Sequence, residues 1–150
     1  MFDHILCPVD FSRHTKEIIN YAQEIAKRFS SKLVVLHVIP SLDCYIPYES
    51  FILPTSILEL EKKIDEEVRK NMENILKEIQ IPVKTVIKWG VPHSTILDTV
   101  REEKIDLVIM ASHGKGSLEQ IILGSVAEKV LKRSPCPVLI VRPSTISEDS

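Results

Sequence analysis

The sequence predicts a doubly wound α/β domain, a five-stranded parallel sheet with helices on both faces. Five short apolar segments alternate with four stretches of helical periodicity, the pattern of strand–helix–strand units joined by right-handed crossovers. Several apolar segments are continuous and not alternating: Leu33-Val34-Val35-Leu36, Leu107-Val108-Ile109-Met110 and Val138-Leu139-Ile140-Val141. Strands of that kind need cover on both faces. A chain of 150 residues suits one such domain and is long enough to bury a full core.

In order along the chain, the first strand is expected over Ile5 to Val9. Ile18, Ile19, Ala22, Ile25, Ala26 and Phe29 then fall on one helical stripe, with Ser12 or Thr15 placed to cap it. The second strand covers Leu33 to Val38. A second stripe, Ile64, Val68, Met72, Ile75 and Ile79, leads to a third strand over Val83 to Lys88. Pro92 is a suitable first-turn proline for a helix carrying Ile96, Leu97 and Val100. After a fourth strand, Leu107 to Ala111, the residues Leu118, Ile121, Ile122, Val126, Val130 and Leu131 supply the last helical pattern. It must end before Pro135 and Pro137, ahead of the fifth strand, Val138 to Val141. The domain is expected to span 1–143, with a short, polar, acidic and disordered tail over 144–150.

Composition excludes several functions. A net charge of -2, with basic residues scattered among acids as in Glu61-Lys62-Lys63-Ile64-Asp65-Glu66-Glu67, leaves no electrostatic footprint for nucleic acid or an anionic membrane. No apolar run reaches the roughly 18 residues of a membrane span. Met1-Phe2-Asp3-His4 leads directly into a strand, which leaves no room for a signal peptide. Cys7, Cys44 and Cys136 are odd in number and far apart, which argues for a reducing, cytoplasmic setting over a disulfide framework.

Ligands of doubly wound sheets bind outside the carboxyl ends of the strands, where strand order reverses. Two segments stand there. In Cys7-Pro8-Val9-Asp10-Phe11-Ser12, Asp10 is placed either to accept hydrogen bonds from a ligand's amino or hydroxyl groups or to cap the following helix. Ala111-Ser112-His113-Gly114-Lys115-Gly116-Ser117, followed by Leu123-Gly124-Ser125-Val126, can present backbone N–H groups to phosphates near a helix amino end. Lys115 would add a point charge and Ser125 a hydroxyl. The alternative for Gly114 and Gly116 is that they only make the turn. Gly124 lies within an otherwise apolar helical pattern, where glycine costs roughly 1 kcal/mol against alanine, so a packing or ligand reason is expected for it. No Walker sequence occurs.

The stretch ASHGKGSLEQIILGSVAEKVLKRSPCPVLIVRP, with ILCPVDFS, LHVIP and GVPHSTIL, resembles the universal stress protein family over nearly the whole chain. Nucleotide-binding members of that family carry G-x2-G-x9-G-[S/T]. Here Gly114 and Gly124-Ser125 match, and Ala111 stands at the first glycine. The resemblance implies a Rossmann-like, adenine nucleotide alpha hydrolase-like sheet in strand order 3-2-1-4-5. It implies ATP as ligand, with Pro8, Val9 and Asp10 at the adenosine end and Val38 beside the base. Ala111, His113 and Gly114 would run past ribose and phosphate, and Gly124, Ser125, Val126 and Ala127 would receive the phosphates. Ala127 stands where many members have a hydroxyl residue. Magnesium would ride on the phosphates and not on a protein cage. A homodimer through Val138, Leu139, Ile140 and Val141 is also implied, at an edge strand that is bare and apolar. At Ala111, a need for positive φ would cost on the order of 1–2 kcal/mol; a need only for close approach would weaken binding by about as much.

No zinc site is expected from His4, His14, His37, His93 and His113, which lack paired spacing. His37 reads as a satisfied core histidine, and His113 as either a phosphate contact or a loop histidine. Cys7 and Cys136 read as core, with no visible base to make a nucleophile of any cysteine. The apolar segment Ser41 to Thr55 reads as a lid or interface, or as a cover over its own helix. The leading expectation is an ATP-binding, non-catalytic regulatory or sensor module that dimerises. Its alternatives are a weak ATP hydrolase or nucleotide transferase acting with a partner, and a nucleotide-free dimeric interaction module.

Overall fold

Leu33, Val34, Val35 and Leu36 lie in an inner strand of the sheet, with at most 4% of any of them exposed. The structure, a computed structural model, describes residues 1–41, 54–113 and 123–144, with backbone alone at 54–56. Nine elements follow one another within these residues: β1 (His4–Pro8), α1 (Thr15–Phe29), β2 (Lys32–Pro40), α2 (Pro54–Leu76), β3 (Val83–Gly90), α3 (Pro92–Glu102), β4 (Leu107–Ala111), α4 (Ser125–Arg133) and β5 (Val138–Val141). All pairings are parallel, in the predicted order β3-β2-β1-β4-β5.

Two cores account for the continuous apolar runs. Ile5, Cys7, Leu33, Val35, Leu107 and Ile109 face one way, against Ile18, Ile19, Ala22 and Ala26 of α1 and Met72 of α2. Their neighbours Leu6, Val34, Leu36, Val108 and Met110 face the other, against Ile96, Leu97 and Val100 of α3 and Ala127 and Val130 of α4. Successive strand side chains point to opposite faces, so a strand covered on both sides must be apolar at every position.

Asp106, in the turn before β4, accepts the backbone N–H groups of Asp3 at 2.8 Å and His4 at 3.1 Å. This ties the start of β1 beside its neighbour. At the end of β3, Gly90 has φ +157°, and a Cβ there would stand 2.5 Å from Thr95 Oγ1. The position has room only for glycine unless Thr95 moves.

Several sequence expectations need correction. The cap position of α1 is His14, not Ser12 or Thr15, and no side chain caps it. Phe29 and Leu131, assigned to buried stripes, are 43% and 46% exposed; Phe29 is the last residue of α1 and Leu131 stands in the last turn of α4. Phe29 instead meets Phe2 edge-on at 5.1 Å. Cys136 is only half-buried, held by Ser134. Gly124 is not inside a helix: it is the extended cap residue from which α4 starts (φ -70°, ψ 161°). Leu118, Ile121 and Ile122 lie outside the described residues, as do Cys44 and all but the ends of the apolar segment Ser41 to Thr55. Ser144, assigned to the tail, donates its N–H to the Glu17 carboxylate at 3.0 Å; residues 145–150 lie outside the described set.

Candidate functional site

β1 and β4 are neighbours, yet the chain leaves β1 for α1 on one face and β4 for α4 on the other. That divergence is the switch point of a doubly wound sheet. A cavity of about 670 Å³ opens there, over the carboxyl ends of the strands, within the range of small-molecule sites. Val38, Ile39, Val68, Ile96 and Met110 give it apolar walls, and Asp10, Ser12, His14, His37 and His113 line it with polar groups.

The turn after β1 is held by its own side chains. Phe11 takes φ 59°, a left-handed conformation costing on the order of 1 kcal/mol. Around it, Ser12 N–H donates to Asp10 Oδ1 at 3.0 Å, and His14 N–H donates to Ser12 Oγ at 3.3 Å. The Phe11 ring lies on the His37 ring with centroids 4.3 Å apart. His37 Nδ1 is 2.7 Å from the Val9 carbonyl oxygen. Asp10 therefore organises the turn and lines the cavity, and it does not cap α1, whose cap position is His14.

On the opposite wall, Gly124 N–H donates to the Ser112 carbonyl at 2.5 Å. A Cβ on Gly124 would lie 3.2 Å from His113 Cα and 3.3 Å from Ser112 O. The reason for glycine here is thus close packing of α4's start on the turn after β4. Its amide is already used by the protein, so it is not among the donors open to a ligand. The donors that remain at this helix start are the next three amides, of Ser125, Val126 and Ala127. A helix leaves its first N–H groups unbonded; the first intrahelical bond is Glu128 N–H to Gly124 O at 2.9 Å. No side chain caps this end, and all three residues line the cavity.

Ala111 ends β4, paired with Val141, and it is not among the described residues with positive φ. The conformational objection to alanine falls away, leaving only its methyl group in the cavity wall. Ala127 is 3% exposed and packs into the core beneath α4.

Every predicted site residue except Gly114 lines this one cavity; Gly114, with Lys115 and Gly116, lies outside the described residues. Sequence reasoning missed His14, considered Thr15 only as a cap and assigned His37 to the core, yet all three line the cavity. Position after a strand was the signal used, and it points away from residues at the start of the next helix. Burial pushes the Cys7 thiol up to about 12, so it is no nucleophile near neutral pH. Among the described residues no group of three or more His, Cys, Asp or Glu gathers to hold a metal ion, and no helix is long and apolar enough to cross a membrane.

A parallel α/β sheet with a cavity at its switch point, under an uncapped helix amino end, defines a class of ligand-binding domain. The sequence pattern of the Universal stress protein family matches residues 1–142. Universal stress protein MJ0577 of Methanocaldococcus jannaschii is 35% identical, with 95% of this chain and 96% of the relative covered. The structure of MJ0577 superposes with TM-score 0.82 at 34% identity, over 97% of this chain and 99% of the other. Universal stress protein UspA from Lactobacillus plantarum gives TM-score 0.73 at 26% identity, covering 93% and 97% of the two chains. A universal stress protein in complex with cAMP shares the fold, with TM-score 0.64, 21% identity and coverage of 95% and 98%. The chain belongs to the universal stress protein family.

Proposed function

We propose that this protein binds an adenine nucleotide, ATP, in the switch-point cavity and acts as a non-catalytic regulatory or sensor module. The observation that carries this reading is the open amino end of α4, where the amides of Ser125, Val126 and Ala127 meet the cavity without a partner among the described residues. A helix amino end of this kind favours phosphate through its amides and its dipole. The apolar wall from Val38 to Met110 suits a base, and Asp10 suits donors on base or ribose. The cradle therefore fits a triphosphate as far as the described residues go. A magnesium ion that accompanied it would be held by phosphate oxygens and water.

The dimer belongs to the same reading. β5 is the sheet edge beyond β4, with Leu139 37% exposed and Val138 and Ile140 half-buried. A bare apolar edge of this kind supports pairing with a second copy. The unpaired Cys7 and Cys136 support a cytoplasmic location.

Calorimetric titration with ATP and magnesium, alongside mass spectrometry of ligand retained through purification, tests the proposal. Saturable ATP binding at one site per chain is expected, with ATP recovered intact. Release of phosphate at a steady rate would favour a hydrolase instead. A protein silent to ATP, ADP, AMP and cAMP would leave an interaction module without nucleotide.

A further inference from the structure

His14 is 9% exposed and lines the cavity. Its backbone N–H is bonded to Ser12 Oγ, but neither ring nitrogen has a hydrogen-bond partner among the described residues. The ring stands edge-on to that of His113, with centroids 5.8 Å apart. His113 Nδ1 is engaged by Ser112 Oγ at 3.0 Å, which leaves its Nε2 for a ligand. Next to His14, the buried Thr15 hydroxyl also lacks a partner among the described residues.

The Thr15 hydroxyl is sealed from solvent without a partner among the described residues, whereas the unpartnered His14 ring nitrogens are not sealed and the ring lines the open cavity. His14 is therefore poised for a partner that the described residues do not supply. Its neighbours indicate the sign of that partner. His14 stands at the cap position of α1; His113 touches the start of α4 through Gly124. Two helix amino ends thus converge on one side of the cavity, and both favour an anion.

We infer that His14 and His113 together grip the phosphate chain of the bound nucleotide as hydrogen-bond donors, taking up a proton as they do so. This rests on the nucleotide reading above and adds to it a recognition residue at the start of α1 and a dependence on pH. Imidazole is the side chain whose charge changes between about pH 5 and 8, and a phosphate beside it favours the charged form. Binding then draws protons in, and affinity rises as pH falls. The other titratable groups lining the cavity are Asp10 in the turn after β1 and His37 on β2; the described parts of α2, α3 and α4 contribute none. Arg13, Lys16 and Glu17 flank His14 on the chain. A negative charge on Asp10 opposes the grip by repelling phosphate, but it favours the charged imidazole as phosphate does.

The test compares wild type with His14→Gln and His14→Asn, both of which carry an uncharged amide in place of the imidazole. ATP with excess magnesium is titrated by calorimetry at about pH 8 and about pH 6, in buffers of different ionisation enthalpy, with adenosine as the uncharged control. The terminal phosphate of ATP titrates in the same window, so the variants serve as the reference. Relative to them, wild type should gain about tenfold in ATP affinity on acidification, as expected when one imidazole gains its proton on binding. It should also take up more protons, and adenosine affinity should stay level in all three proteins. If both variants bind ATP with wild-type affinity and wild-type proton uptake, the inference is overturned and the nucleotide reading survives. If wild type binds neither ATP nor adenosine at either pH, the nucleotide reading fails and this one falls with it.

Discussion

The amide of Gly124 donates to the carbonyl of Ser112 across 2.5 Å, binding the start of α4 to the turn that leaves β4. This bond sets where the three open amides of α4 lie relative to the strand ends. It also explains the glycine, since a side chain at position 124 would meet the His113 backbone at 3.2 Å.

Replacing Gly124 should therefore act by displacement. Gly124→Ala needs a shift of only a few tenths of an ångström at 3.2 Å and should be mild. Gly124→Val forces the helix start away from Ser112, and overpacking of this kind costs about 1–3 kcal/mol. A loss of at least about tenfold in ATP affinity is expected for the valine variant, with helical circular dichroism retained. Unchanged affinity in calorimetry would place the ligand elsewhere.

Ala111 leads to an opposite expectation. Because its φ is not positive, Ala111→Gly relieves no strain. The variant should bind ATP within about tenfold of wild type, while thermal or urea denaturation shows a loss of about 0.5–1 kcal/mol from glycine in a strand. A large gain in stability would show that the alanine is strained after all.

Burial raises the Cys7 thiol from its ordinary 9.0 to about 12. The folded protein keeps this proton while the unfolded chain loses it above pH 9.0, so stability is fully present below that value. It should fall as pH climbs from 9.0 toward 12, by up to about 1.4 kcal/mol for each step of one in pH. Urea titrations of wild type and Cys7→Ala across alkaline pH isolate this contribution as a slope missing from the variant. In native protein at about pH 8, Cys7 should resist thiol reagents until the chain unfolds.

Leu139, 37% exposed on β5, offers a test of the edge. A charge on an edge strand blocks pairing with another sheet. Leu139→Lys should yield a monomer by light scattering with wild-type secondary structure. If the variant keeps the mass of a wild-type dimer, the last strand is not the dimer contact.

Much of this molecule was legible in its chain. Continuous apolar runs such as Leu107 to Met110 required cover on both faces, and the helical stripes between them supplied it. Strand ends were legible within one or two residues. β2 and β3 run two residues further than predicted, to Pro40 and Gly90, because each finds its partner across the ladder there. Backbone pairing does not depend on side-chain hydrophobicity, so composition alone could not show it. The start of α4 was misplaced for a related reason. Apolar residues before Gly124 continue a helical period, and a period carries no mark of where a cap falls.

The linear order of apolar and polar residues determined the class of fold, the end of the sheet where a ligand would sit, and part of the lining of that cavity. These follow from period and from place after a strand, both local properties. Tertiary structure alone decided which donors stay open. Among the described residues it assigned the Gly124 amide to Ser112 and left those of Ser125 to Ala127 unbonded. It also removed the conformational objection to Ala111 and set His14 against His113, from elements far apart in the chain. Hydrogen-bond satisfaction is a property of the assembled whole: a group is free only once every neighbour in space has found its own partner.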